Sequence, residues 1–195
     1  MLFLMIGRIG GERVLCSFIA LYSGIILLTI KDKKVFIILS MKKNIKICFV
    51  SSSGGHWEEL MCLKKLMNQY QSFYVTEYGG QMQDSKCSSI YGVKKIDRSE
   101  KYFLIHFVAL FFRSFKIYLK EKPDVVITTG ALAAYPICLI SKLFRKKIIY
   151  IESFARVNSK SLTGKLIYPI SDLFLVQWEE MLQFSPKAKY VGGIF

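Results

Sequence analysis

The chain has no C-x-x-C pair, no G-x-G-x-x-G fingerprint, no G-x-x-x-x-G-K-[ST] phosphate loop and no internal repeat or low-complexity tract. Each absence removes a class of protein. The five cysteines, Cys16, Cys48, Cys62, Cys87 and Cys138, are scattered and odd in number, so neither a disulfide framework nor a zinc site is indicated, and a reducing cytoplasm suits them. The missing glycine fingerprints disfavour classical dehydrogenases and P-loop NTPases. Acid is also scarce: 14 Asp and Glu stand against 28 Lys and Arg in 195 residues, a net charge of +14. That excess favours phosphate partners, whether on nucleic acid, lipid headgroups or a nucleotide, and charge alone does not choose among them. Charged residues make up only 22% of the chain and apolar residues 52%. This balance excludes disorder and gives one ordinary domain a sizeable core.

Residues 1–40 differ from the rest. The run Val14 to Ile30 is uncharged, at the lower limit for spanning a bilayer, and Lys31, Lys33, Lys34, Lys42 and Lys43 follow it. These lysines would hold the C-terminal part on the cytoplasmic face of the plasma membrane. No small-x-small cleavage site stands after the run, which favours a signal anchor over a removed signal peptide. The alternative is an over-extended start, with Met41-Lys-Lys-Asn-Ile-Lys-Ile-Cys-Phe-Val opening the domain proper. Both readings place the folded unit at residues 41–195.

Beyond Met41, strand-like apolar runs alternate with helix-length segments, the pattern of an α/β, Rossmann-like parallel sheet covered by helices. The expected strands are Lys46–Val50, Phe73–Thr76, Val125–Thr128, Lys147–Ile151 and Leu173–Val176, with a last extended piece at Tyr190–Val191. The expected helices are Gly54–Gln69, Tyr102–Lys120, Ala131–Phe144 and a short one at Glu179–Phe184. Glu77 to Ser99, polar and glycine-containing, reads as a long loop. The strands end in Ser51–His56, Thr76-Glu77, Thr128–Gly130, Glu152-Ser153 and Gln177–Glu179. In an open parallel sheet these ends share the edge where ligands bind.

The most informative end is Ser-Ser-Ser-Gly-Gly-His, a strand-to-helix turn. Its glycines let backbone N–H groups approach a phosphate, Ser53 adds a hydroxyl, and His56 offers an imidazole; the competing reading is an ordinary tight turn with a solvated histidine. Thr129-Gly130 precedes Ala131, Ala133 and Ala134, small residues that serve either a ligand or close helix packing. Glu152 ends the apolar run Ile148–Ile151, where a carboxylate needs a partner or a function, and Arg156 is the candidate partner. Ser159, Ser161 and Thr163 lie in what reads as a flexible donor-rich loop, with a helix cap at Thr163 as the alternative. The segment YFLIHFVALFFRSFKIYLK at Tyr102–Lys120 is apolar nearly all round and interleaved with Arg113, Lys116 and Lys120. It suits either a buried core helix or a surface that dips into lipid, and its His106 reads as a packed histidine. No recognisable nucleic-acid-binding module is visible, so nucleic acid is only the runner-up partner for the basic surface.

SSSGGHWEEL, the VTE at Val75–Glu77, PDVVITTGALAAYP and IYIESFARVNSKSLTGKLIYPISDLFLVQWEEM together resemble one family. They are similar to the bacterial PssD-type capsule and exopolysaccharide proteins, themselves similar to the asparagine-linked glycosylation fourteen-like, membrane-associated subunit of a UDP-sugar glycosyltransferase. The resemblance runs from Lys46 to Phe195. It implies one half of a glycosyltransferase B fold, the acceptor-side Rossmann-like domain, working with a separate donor-binding subunit in lipid-linked oligosaccharide synthesis. The residues agree in two respects: the chain has room for one such domain, and it carries no Asp-x-Asp metal motif.

On this resemblance the chain binds no cofactor of its own, and the UDP-sugar donor arrives with the partner. Its other partners are the membrane and a polyprenyl-diphosphate saccharide. Ser53, Gly54, Gly55, Thr129, Gly130, Arg156 and Ser161 would line the acceptor and its diphosphate. His56 would be the base, by similarity to the lipid-linked N-acetylglucosaminyltransferase of peptidoglycan synthesis, with Glu152 orienting acceptor or base. A purely anchoring or activating subunit is the alternative.

Overall fold

In the computed structural model, residues 25–30, 33–38, 45–78, 89–97 and 99–194 are described. Seven parallel strands form one sheet in the order β5-β4-β3-β6-β7-β8-β9. They are β3 (Lys46–Val50), β4 (Gln71–Glu77), β5 (Ile90–Val93), β6 (Val125–Thr128), β7 (Lys147–Ile151), β8 (Leu173–Val176) and β9 (Lys189–Tyr190). β1 (Ile25–Ile30) and β2 (Lys33–Ile38) form a separate antiparallel pair. Most of Val14–Ile30 lies outside the described residues, and its last six are a strand rather than a helix. Among the described residues no helix is long and apolar enough to cross a membrane.

Alternation along each strand explains why the sheet is buried on both faces. Ile47, Phe49, Tyr74, Val125, Ile127, Ile149, Ile151 and Leu175 pack with Trp57, Leu60 and Met67 on one side. Cys48, Val50, Phe73, Val126, Ile148, Tyr150, Phe174 and Val176 pack on the other, against Leu110, Ile117, Ile137, Cys138 and Ile167. The first layer contains α1 (Gly55–Met61) and α2 (Lys64–Met67); the second contains α3 (Phe103–Glu121), α4 (Ala134–Leu143) and α5 (Leu162–Ile167). Each fully buried Val, Ile, Leu or Phe contributes roughly 1.5–3 kcal/mol of transfer free energy. The sheet is therefore a rigid platform for its edges.

Four departures from the sequence expectation have physical causes. The helix expected over Gly54–Gln69 is two pieces, because Leu63 turns its amide to Leu60 O at 3.0 Å, a tighter i→i−3 bond. The loop expected over Glu77–Ser99 contains the edge strand β5, which pairs parallel with Tyr74–Glu77. Gly92 inside it leaves room for the exposed Tyr78 ring, which a Cβ there would meet at 2.4 Å and displace. The donor-rich loop becomes helix α5 from Leu162, capped by Ser161 and not Thr163: Gly164 N donates to Ser161 Oγ at 2.9 Å. The last strand sits one residue earlier than expected, at Lys189–Tyr190.

Helix α3 ends where Lys122 adopts φ 46° and donates its N–H to Tyr118 O at 2.7 Å, directly before Pro123. Only Leu110, Ser114, Ile117 and Tyr118 of this helix are buried. Leu104, Val108, Phe112, Phe115 and Leu119, spaced by three and four residues, form one exposed apolar stripe, with Leu104 73% and Phe112 64% accessible. Lys101, Arg113, Lys116 and Lys120 are exposed on the same segment. His106 is not an apolar core residue: its Nδ1 lies 2.7 Å from Glu100 Oε2, and Lys94 Nζ lies 3.1 Å from its Nε2.

Candidate functional site

The direction in which successive strands are added to the sheet reverses between β3 and β6. From β3 the connection runs outward through β4 to β5, and β6 then returns to the opposite side of β3. Such a switch point opens a crevice at the carboxyl edge, because the two crossovers leave on opposite faces. The two ends that flank it are Ser51–His56 and Thr128–Gly130.

These ends are joined. Thr129 Oγ1 donates to His56 O at 2.7 Å, and Gly130 N donates to Thr128 Oγ1 at 3.0 Å. Gly54 has φ +82° and Gly130 φ +120°, conformations that disfavour an L side chain. Gly130 also lacks space, since a Cβ would stand 3.0 Å from Tyr150 Oη and 3.3 Å from His56 Cε1. Ala131 follows at φ +71°, strain of the kind that functional turns hold. His56 thus packs over Gly130, and its side chain stays 31% exposed. The amides of Trp57 and Glu58 both close on Gly54 O, at 2.9 and 3.2 Å. The phosphate expectation narrows to the amides of Gly55 and His56. An open cleft of about 410 Å³ is lined by Gly55, His56, Glu59, Ser153, Phe154 and Ala155.

Ser53 sits beside this turn and donates its hydroxyl to Glu77 Oε2 at 3.3 Å. Glu152 is 1% exposed and, among the described residues, makes no salt bridge with a Lys, Arg or His. Its Oε2 accepts from Ser161 N at 3.1 Å, and its Oε1 accepts from Ser153 N at 3.2 Å and Tyr150 Oη at 3.4 Å. Burial pushes its carboxyl above the usual range despite these bonds. Burial likewise pushes the Tyr150 phenol up, with the nearby Glu152 charge adding to the effect. Arg156 is exposed, and the partnership expected between it and Glu152 is replaced by backbone amides and hydroxyls, which satisfy a carboxylate without burying a guanidinium. Tyr150 Oη also lies 3.0 Å from Ser161 Oγ. Gly130, Tyr150, Glu152, Ser161 and Gly164 therefore form one largely buried chain of neighbours from the end of β6 to the start of α5, with Ser161 half-buried.

The structure brings Gly54, Gly55, His56, Thr129 and Gly130 together at the crevice. Glu152 is buried behind it, half-buried Ser161 lies next to Glu152, and Arg156 lies on the surface. Sequence reasoning missed Glu59, which is 3% exposed and has Oε2 3.6 Å from His56 Nδ1. Its spacing of three from His56 on a helix was the available signal. It also missed Tyr150, hidden in an apolar strand.

Fold and site together define a Rossmann-like α/β domain that is one half of a glycosyltransferase B fold, with its histidine-bearing turn at the switch point. Among solved structures, Acinetobacter baumannii MurG is similar with a TM-score of 0.64 at 15% identity, covering 76% of this chain and 46% of that one. A UDP-N-acetylglucosamine 2-epimerase is similar at 0.58, with 15% identity and 72% and 44% coverage. The chain spans about half the length of these structures, and at such identities the likeness is one of fold.

The chain belongs to the family described as "Oligosaccharide biosynthesis protein Alg14 like", which it matches over residues 47–194. It is 31% identical over 184 residues to the UDP-N-acetylglucosamine transferase subunit ALG14 of Mus musculus, covering 78% of this chain and 84% of that protein. It is 44% identical over 80 residues to the same subunit of Candida albicans, covering 38% and 36%.

Proposed function

We propose that this protein is the membrane-associated, acceptor-side subunit of a two-component UDP-sugar glycosyltransferase that builds lipid-linked oligosaccharide for capsular or exopolysaccharide. The observation that carries this reading is the His56 turn packed over Gly130 at the switch point of an Alg14-like chain. The relatives' names make UDP-N-acetylglucosamine the first donor to test. The partner subunit brings the donor, and this chain holds a polyprenyl-diphosphate saccharide. The amides of Gly55 and His56, with Gly54, Ser53, Thr129 and Gly130 around them, receive the diphosphate; Arg156 and Ser161 flank the approach.

His56 Nε2 takes the proton from the acceptor hydroxyl as its oxygen forms the new bond to the anomeric carbon. The bond from that carbon to the UDP oxygen breaks, and UDP leaves with the electron pair. Glu152 positions the β7 end behind this reaction. The α3 stripe lies against lipid at the cytoplasmic face, with Arg113 and Lys116 meeting anionic headgroups. Helix α3 packs on the helix that follows the Thr129-Gly130 turn: Phe107 stacks on Tyr135 of the first turn of α4, ring centroids 6.4 Å apart. A lipid-anchored acceptor would enter from there.

The test is sugar transfer by the reconstituted pair. His56→Ala should lower turnover by about 100-fold or more while the two subunits still co-purify. The exposed stripe favours one other reading, an anchoring subunit without chemistry of its own; wild-type turnover in the variant would select it.

A further inference from the structure

Glu59 is a buried acid in a helix that otherwise presents its acid, Glu58, to solvent. Burial of a carboxylate demands partners, and one of its oxygens has them: Oε1 accepts from Phe154 N at 2.8 Å and Ser153 Oγ at 3.0 Å. These two bonds come from the end of β7 and fix the side chain from across the crevice. They leave Oε2 aimed at the imidazole, 3.6 Å from His56 Nδ1. Both of these atoms are buried, and neither has a hydrogen-bond partner. Two orphaned polar atoms facing each other are each other's natural partner. A closure of about half an ångström, of the kind catalytic hydrogen bonds undergo on substrate binding, brings them to bonding distance. Thr129 Oγ1 holds the His56 carbonyl, and Gly130 lies against Cε1.

We propose that Glu59 is the positioning residue of this site, its Oε2 holding the His56 imidazole with the proton on Nδ1 so that the Nε2 lone pair is left for the acceptor hydroxyl. The inference rests on the reading of His56 as the base. An ionised carboxylate accepts and cannot donate, so it selects the Nδ1–H tautomer. A charge-assisted bond of this type favours that tautomer by about tenfold or more. Glu59 touches neither acceptor nor donor in this scheme; it acts through the ring, as an outer carboxylate does at many histidine sites.

The experiment uses the full chain assembled with its donor-binding partner and carrying labelled histidine. The chain has only two histidines, so the imidazole ¹⁵N and ¹³C signals are few, and His106→Gln assigns them. Wild type should show His56 as the Nδ1–H tautomer. In Glu59→Gln the amide oxygen keeps the Phe154 and Ser153 donors and turns its NH₂ toward Nδ1, which forces the proton onto Nε2. The tautomer should invert, and kcat should fall about 10- to 100-fold with little change in acceptor KM. Glu59→Asp, which withdraws the oxygen by one methylene, should show a mixture of tautomers and an intermediate kcat.

A His56 tautomer unchanged in Glu59→Gln overturns the proposal. Should that variant fail to fold, a pure Nδ1–H state in Glu59→Asp overturns it equally. An inverted tautomer with wild-type kcat supports the hold of Glu59 on the ring and overturns His56 as the base, so the two ideas fail separately.

Discussion

Gly164→Ala should destabilise this protein although it replaces glycine by the best helix former inside helix α5. On propensity alone the change would stabilise by up to about 1 kcal/mol. The added Cβ, however, would stand 2.2 Å from Glu152 Oε2 and 2.9 Å from Ser161 Oγ. Glu152 cannot withdraw easily: it is 1% exposed and held by Ser161 N, Ser153 N and Tyr150 Oη. Displacing it sacrifices at least the Ser161 bond, and a hydrogen bond to a charged group contributes about 1.5–3 kcal/mol. The orphaned donor then adds about 1–3 kcal/mol. Set against a propensity gain of about 1 kcal/mol, the net cost is about 1.5–5 kcal/mol.

Glu152→Ala alone should cost a similar amount, because it strands the same donors. With the carboxylate already absent, the same Gly164→Ala change meets only Ser161 Oγ at 2.9 Å, so its cost should shrink to that remaining contact set against the propensity gain. The coupling between the two sites is then the Glu152 contribution alone, about 2.5–6 kcal/mol, well beyond the additivity expected of independent positions. Urea unfolding of the four proteins, followed by the fluorescence of Trp57 and Trp178, reads this as midpoint shifts at constant slope. Equal costs for Gly164→Ala in both backgrounds would refute the steric reasoning.

Two further outcomes follow from the same contacts. The raised Glu152 carboxyl means that above its ordinary value of 4.5 the folded state binds more protons than the unfolded state, so this group makes stability fall as pH rises toward neutrality. Glu152→Gln should remove that downward component; a wild-type-minus-variant stability difference that stays flat or rises between pH 4.5 and 7 would contradict it. On α3, the pair Val108→Asp and Phe112→Asp should lower co-sedimentation of a chain starting at Met41 with anionic vesicles about tenfold, and raised salt should weaken the wild type as well. The urea midpoint should move by no more than about 0.5 kcal/mol, since both side chains are exposed. Unchanged sedimentation of the variant would move the membrane contact off the α3 stripe to another part of residues 41–195, and a wild-type chain from Met41 that fails to sediment would return it to residues 1–40.

How much was legible in the sequence depended on the range of the signal. Apolar runs such as Lys46–Val50 and Ile148–Ile151 declare buried parallel strands, because both faces of such a strand need apolar residues. The Gly54-Gly55-His56 turn was legible for a similar reason: a positive φ and a helix start need local residue types. Strand β5 was not, since four residues around a glycine carry no periodicity, and only pairing with β4 and packing of Tyr78 over Gly92 make it a strand. Helix α3 was legible as a helix, yet its partition into a buried side at Leu110, Ile117 and Tyr118 and an exposed apolar stripe was not, because apolar residues surround it on all sides.

By itself, then, the sequence determined the α/β class, most strand positions and the glycine–histidine turn, all set by residues close in the chain. Tertiary structure alone decided which carboxylate faces that histidine. Glu152, conspicuous at the end of an apolar strand, turned out to be consumed by Ser161, Ser153 and Tyr150, while Glu59, ordinary in a helix beside Glu58, is locked by Ser153 and Phe154 from across the crevice and faces His56. Residues 94 and 95 positions apart make those contacts. The physical reason is that a side chain's partners are fixed by strand order and crossover geometry, which no local pattern in the chain encodes.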